Sequence, residues 1–508
     1  MSSSLKQRHQ AKKDEKEPSG DETQKIVSNE KKEQPPFRLM DLLGGVGGMI
    51  EFRLFQKVPG WVDASLPPGT TSELEMNLSN PQLWSILSGH SIVFSPNLVW
   101  FSVAMGLYVL APYDYDQMRA EGMTMQWFVQ RALLNTVVML AYYGFWHTTL
   151  YGLGWAKRPF AQGRVYRWSK TIHNVWYCLL GVLQWTGWEL IMVYLYANNR
   201  IGFQSNEDIF QNPMEMLKFF LAVITVPVFR EIQFFFAHRT IHLRCLYKYI
   251  HALHHRNTDV EPFSGLCMSP AEHLYYISSI APSVYWHASP FQFLWNGIHL
   301  VLSPGASHSG WEDHWHSDQF HVAHHRYFEC NYGTPGFPLD IWFGTMRETM
   351  APTTRVYKGV AEECVSRPDE NPVIMARPDA KSTLLGIPAW DQMLYMAATA
   401  IGLPLFVIYN VNNPQVLPAS LAAAVVSLGP LVLASLLSII TANPPIDSWE
   451  KLRVAMLYPF QKEPILGKFG LSLVLGTVLS IIPTYHFFES LFVEDPSDTI
   501  YNKIWASG

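Results

Sequence analysis

Between Gln392 and Ile446 the chain runs 55 residues without one Asp, Glu, Lys or Arg, and between Leu274 and Trp311 it runs 38. A helix needs about 20 predominantly apolar residues to cross the hydrocarbon of a bilayer, and only helices or closed barrels satisfy their backbone there. Shorter windows repeat the signal at Asn97 to Ala111, Ala132 to Ala156, Thr171 to Asn199 with Glu189 inside, and Phe469 to Phe488. Phe219 to Phe229 is apolar and continues through Arg230 and Glu231 to Phe236. Pro282 and Pro290 predict a hairpin of two spans, or a re-entrant pair, within the 38-residue window. Asn412-Asn413-Pro414 predicts a turn within the longer one. The expected count is nine spans, and a soluble helical protein with buried helices is the alternative that the 55-residue run argues against.

Charge is spread unevenly over the 508 residues. Residues 1–36 hold eight Lys/Arg and seven Asp/Glu and almost no large apolar side chain, which predicts a disordered polar tail. No apolar h-region of a signal peptide occurs in the first 30 residues. The loop from Lys157 to Lys170 carries five basic residues and no acidic one, so the positive-inside rule assigns it, and with it the N-terminus, to the cytosol. The expected division is a tail at 1–36, an N-terminal transmembrane region at 37–218, a histidine-rich core at 219–348, a cytosolic linker at 349–391 and a C-terminal transmembrane region at 392–508. A net charge of −5 without a Lys/Arg stripe excludes an extended nucleic-acid surface. Five scattered cysteines, free of CxxC spacing, argue against a disulfide scaffold or a thiolate metal site. Gly44-Gly45-Val46-Gly47-Gly48 lacks nucleotide-binding spacing and reads as a flexible turn.

Fourteen of the 19 histidines fall between residues 238 and 325, eight of them in three clusters. These are His238 and His242, then His251, His254 and His255, then His321, His324 and His325. Spacings of three and four residues put side chains on one helix face, so each cluster can aim its imidazoles at one point. Eight converging imidazoles exceed what one tetrahedral zinc uses, and two metal ions are the economical reading. The clusters meet on the cytosolic side if an even number of crossings separates His255 from His321. A zinc-protease HExxH motif is absent, because Arg239 follows the first histidine. Without a nucleotide or haem motif, electrons for redox chemistry must come from a separate protein.

The three clusters, with Leu246-Tyr247-Lys248, Asn331-Tyr332-Gly333 and Phe343-Gly344-Thr345 beside them, resemble the fatty acid hydroxylase and sterol desaturase superfamily over about residues 230–348. The resemblance implies an all-α polytopic membrane protein whose transmembrane helices carry a cytosol-facing helical cap with a histidine-bound di-iron site. It implies endoplasmic reticulum residence, O2 as co-substrate and a haem or flavin electron donor. The eight box histidines carry over as metal ligands. His308, in His308-Ser309-Gly310, looks like a further family ligand, although Pro304 stands where some relatives have the first histidine of a pair. His273, His314 and His316 are reserve positions, and Glu272 reads either as a carboxylate that orients a ligand imidazole or as an ordinary surface carboxylate.

Eighteen Trp, 29 Phe and 23 Tyr suit a large apolar substrate entering from the bilayer, an isoprenoid, sterol or fatty-acyl chain, although such abundance more often serves lipid-facing packing and interfacial anchoring. The polar tail, the extra C-terminal spans and the segments 261–265 and 272–276 look most like the alternative squalene epoxidases of microalgae. That resemblance implies epoxidation of squalene to 2,3-epoxysqualene. A sterol desaturase or lipid hydroxylase is the enzyme alternative. A histidine-rich metal transporter is the non-enzyme one, which would place histidines and carboxylates inside the spans.

Overall fold

A computed structural model describes residues 97–154, 168–311, 317–334, 339–347, 389–442 and 445–495. The tail, the glycine run at 44–48, four of the basic residues at 157–167, His314, His316, Cys364 and residues 349–388 of the linker lie outside the described residues.

The chain is all-helical, and among the described residues there is no strand. In order come α1 (Asn97–Leu110), α2 (Tyr115–Glu121), α3 (Met125–His147), α4 (Trp168–Ala197), α5 (Asn206–Gln211) and α6 (Pro213–Ile241). Then follow α7 (Arg244–Ile250), α8 (Ala252–His255), α9 (Pro270–Ile277), α10 (Ala281–Tyr285), α11 (Pro290–Ser307), α12 (Ser317–Tyr327) and α13 (Leu339–Phe343). The C-terminal part holds α14 (Trp390–Asn412), α15 (Ala419–Ile440), α16 (Trp449–Leu457) and α17 (Lys468–Phe492). Local chemistry sets several of the starts. Asn212 accepts from the Met214 N–H with Pro213 in the first turn of α6, and Ser269 and Ser289 cap α9 and α11, each followed by proline.

Among the described residues five helices, α4, α6, α14, α15 and α17, are long and apolar enough to cross a membrane, so the protein is multi-pass. Ile401, Leu405, Ile408, Val432 and Leu436 on α14 and α15 are exposed, an apolar surface suited to lipid rather than water. Nine spans were expected, and the difference has physical causes. Helix α1 has 14 residues, about 21 Å of rise, short of the hydrocarbon thickness. Helix α3 has the length but carries Gln126, Gln130, Arg131 and Asn135. The 38-residue window is broken into α9, a 3₁₀ turn, α10 and α11, and residues 288–306 are buried throughout. Protein covers this apolar run, not lipid.

Helix contacts are close where glycine allows it. A Cβ on Gly297 of α11 would lie 1.9 Å from the Trp185 ring of α4, and one on Gly305 would lie 2.0 Å from Tyr143 of α3. The Tyr143 hydroxyl donates to the Val301 carbonyl at 2.6 Å, fastening α11 beneath the histidines. Buried Glu189 of α4 accepts from Arg131 Nε at 2.8 Å, Asn135 Nδ2 at 2.7 Å and the Tyr113 hydroxyl at 2.5 Å. This carboxylate ties α3 and the α1–α2 connection to α4.

Candidate metal centre

Nine histidines come together at the end of the bundle formed by α6, α7, α8, α11 and α12. The last turn of α6 carries His238, and His242 follows it on the same face. His251 sits between α7 and α8, with His254 and His255 in α8. His308 leaves the end of α11 with non-helical ψ, and α12 presents His321, His324 and His325. All nine are buried. They form two groups, His238, His242, His251, His255 and His324 in one, and His254, His308, His321 and His325 in the other, each with its donor atoms within 4.8 Å of one another.

The ring nitrogens face inward. His238 Nε2 lies 2.9 Å from His251 Nε2, and His255 Nε2 lies 3.3 Å from that of His242 and 3.1 Å from that of His324. In the second group His325 Nε2 lies 3.1 Å from the Nε2 of each of His254, His308 and His321. Neighbouring nitrogens around an ion with bonds of about 2.1 Å stand about 3.0–3.4 Å apart, and these spacings match that range.

Backbone carbonyls fix the tautomers. Nδ1–H donates to the Tyr332 carbonyl in His238 and to the Cys330 carbonyl in His324, both at 2.6 Å, and to the Pro304 carbonyl in His308 at 2.7 Å. A neutral ring that donates from Nδ1 carries its lone pair on Nε2. Burial holds the rings neutral: it drives His242, His251, His254, His255, His321, His324 and His325 well below 6.5, and His308 to about 3. One imidazole has one proton at most on Nε2, so His325 cannot meet three neighbouring nitrogens by hydrogen bonding alone. Cations satisfy the arrangement. Neutral imidazole suits iron, zinc, copper and nickel, and the two groups fit two ions.

The surrounding side chains lock the rings. Phe234 stacks on His238 at 4.7 Å between centroids and Phe328 on His255 at 4.6 Å. Glu272 accepts from His251 Nδ1 at 2.7 Å, the orienting contact expected of it. Such carboxylate partners raise ligand basicity, so Glu272→Ala is expected to weaken metal binding about 10–100-fold, and Glu272→Gln, which keeps an acceptor, to recover most of it. Competition with a chelator in detergent measures both; equal losses in the two variants would contradict the orienting role.

Sequence spacing did not reveal what holds the two critical carbonyls. The buried Asp340 carboxylate accepts from the Tyr332 and Gly333 N–H groups at 2.9 and 2.8 Å and from the Thr345 hydroxyl at 2.5 Å. Asn331, at φ +53°, donates to the Phe320 and Arg347 carbonyls and accepts from the Arg347 N–H. The Asn-Tyr-Gly and Phe-Gly-Thr segments are therefore the bracket behind His238 and His324. Position 304, proline in place of a histidine, supplies the carbonyl that aims His308. His273 stands apart from both groups, its ring against Gly181 of α4.

Residues 223–345 match the fatty acid hydroxylase family. A Delta(7)-sterol 5(6)-desaturase of Gibberella zeae is 26% identical over 169 residues, covering 30% of this chain and 51% of that protein. A Dictyostelium discoideum protein named, provisionally, a methylsterol monooxygenase is 28% identical over 206 residues, covering 36% of this chain and 73% of its own length. The human fatty acid hydroxylase domain-containing protein 2 is 30% identical over 147 residues, covering 28% and 42%. The chain thus spans about half the length of the first of these relatives. No solved structure matches it.

Proposed function

Residues 223–345 form a domain of the fatty acid hydroxylase and sterol desaturase superfamily, and from that membership we propose that the chain is an O2-dependent di-iron oxygenase acting on an apolar lipid of sterol synthesis. The observation that carries this reading is the pair of buried, carbonyl-aimed imidazole groups. His238, His242, His251, His255 and His324 hold one iron, and His254, His308, His321 and His325 the other. Bound ferrous iron supplies the reduction of O2 to an oxidant that attacks an unactivated C–H or C=C bond. The protein's part is to keep nine rings neutral and aimed, and to exclude water. Phe234, Phe328 and Tyr332 pack against the rings and keep water from them. Insertion of one oxygen atom, with the other leaving as water, takes up two electrons and two protons; the electrons come from a haem or flavin donor protein at the cytosolic face and the protons from water there. The N-terminus shares that face, in the endoplasmic reticulum membrane.

The finer reading is epoxidation of squalene to 2,3-epoxysqualene, supported by the layout after the second box and by the C-terminal spans α14, α15 and α17. Oxidation of a sterol is the second reading, favoured by the names of the desaturase and methylsterol relatives. Expression in a sterol-synthesising cell whose flavin-dependent squalene epoxidase is blocked separates them. Restored growth with 2,3-epoxysqualene, absent in His254→Ala, is the expected result. Squalene accumulating alongside altered sterol unsaturation would replace epoxidation by desaturation.

A further inference from the structure

Helix α4 has 30 residues, about 45 Å of rise, and only its first turns lie beside the histidine bundle. There Thr171 and Asn174 donate to Glu261, six residues beyond His255. Its other end, at Ala197, therefore stands about one bilayer thickness away. A cavity of about 640 Å³ opens at that far end, between the α1–α2 connection and the end of α4. Aromatic rings form much of its wall. Tyr115 stacks on Phe203 with centroids 5.8 Å apart, Tyr196 meets Phe203 at 5.1 Å, and Tyr113 meets Tyr115 at 6.2 Å. The carboxylates of Asp114 and Asp116 share the lining with a single cation, Arg119.

Arg119 is half exposed and held in place: its Nε donates to the Ala197 carbonyl at 2.8 Å, and it pairs with Asp116 at 3.1 Å. Exposed Leu110 lies two residues before Pro112 of the lining, so the mouth adjoins exposed apolar surface. Aromatic faces with an excess of carboxylate charge suit a quaternary ammonium, whose methyl groups spread charge over the rings. A guanidinium beside them suits a phosphodiester.

The geometry points to a phosphocholine site at this face, occupied by the headgroup of a bilayer phosphatidylcholine. It owes nothing to the chemistry proposed at the histidines. Tyr115 and Phe203 take the trimethylammonium group with Asp114, Arg119 takes the phosphate, and the acyl chains leave past Leu110; the Tyr113 ring is already covered by Arg131, 4.7 Å from its centre. The full chain in nanodiscs of phosphatidylglycerol, doped equally with phosphatidylcholine and phosphatidylethanolamine, tests the site by lipid analysis of the protein extracted in mild detergent. Phosphatidylcholine is expected to be retained at least about tenfold over phosphatidylethanolamine, and Tyr115→Phe to keep that preference while Tyr115→Ala and Asp114→Asn lose it. Excess soluble phosphocholine in a second arm distinguishes the source: retention that resists it supports the lipid, and displacement by it assigns the pocket to the free headgroup instead. Equal retention of the two lipids, or a preference that survives Tyr115→Ala with Phe203→Ala, overturns the site.

Discussion

If the chain is the di-iron oxygenase proposed above, His325→Ala protein is expected to purify with about one iron per chain against about two in the parent, and to lose more than about 100-fold of its turnover. His325 is the hub of the four-histidine group, its Nε2 at 3.1 Å from three others, so its removal opens that site while leaving the five-histidine group intact. His324→Ala is expected to give the complementary result, emptying the five-membered group that it shares with His238, His242, His251 and His255. Iron analysis with Mössbauer spectra of the two variants reads the outcome, because the remaining ion has lost its magnetic partner in each. Full iron content in both variants would refute the two-group assignment. Full loss in both would mean that the groups bind as one unit.

The second large effect concerns Arg239, the residue whose presence after His238 excludes a zinc protease. It is 1% exposed and makes a two-pronged pair with Glu463 at 2.9 and 3.0 Å, with a further hydrogen bond to Ser472 at 2.6 Å. Its guanidinium lies 4.7 Å from the centre of the Phe460 ring. Arg239→Ala is expected to destabilise the fold by about 3 kcal/mol, the lower end of what breaking a buried pair costs, because Glu463 is partly exposed and regains water. Arg239→Lys is expected to recover only part of this, since an ammonium cannot reproduce the planar fork. Unfolding in mixed detergent and SDS measures both. An unchanged transition in Arg239→Ala would show that the pair contributes nothing net.

The membrane class and the box histidines were legible because both depend on local pattern. A 55-residue run without charge and HxxxH spacing each survive any packing of the helices around them. His308 became visible only through family resemblance, since a lone histidine after a proline-containing helix has no spacing of its own to mark it. Asp340 stayed hidden because its role depends on a loop that brings residues 331–333 and 345 to one carboxylate, and nothing in Leu339–Phe343 announces that. The overcount of spans has a related cause. Apolar windows report that side chains avoid water, and they do not report whether lipid or protein covers them, which is where α9 to α11 departed from expectation.

The partners of the box-bearing helices are drawn from far along the chain. Arg239 is held by residues 463 and 472, the Cys245 carbonyl by Ser438, and Lys248 by Asp391 and Thr441. During synthesis the three histidine clusters are therefore complete before any of the residues that brace two of them, Asp391 first and Ser472 last, has been added. A nascent chain halted after the third cluster holds all nine histidines and lacks these braces.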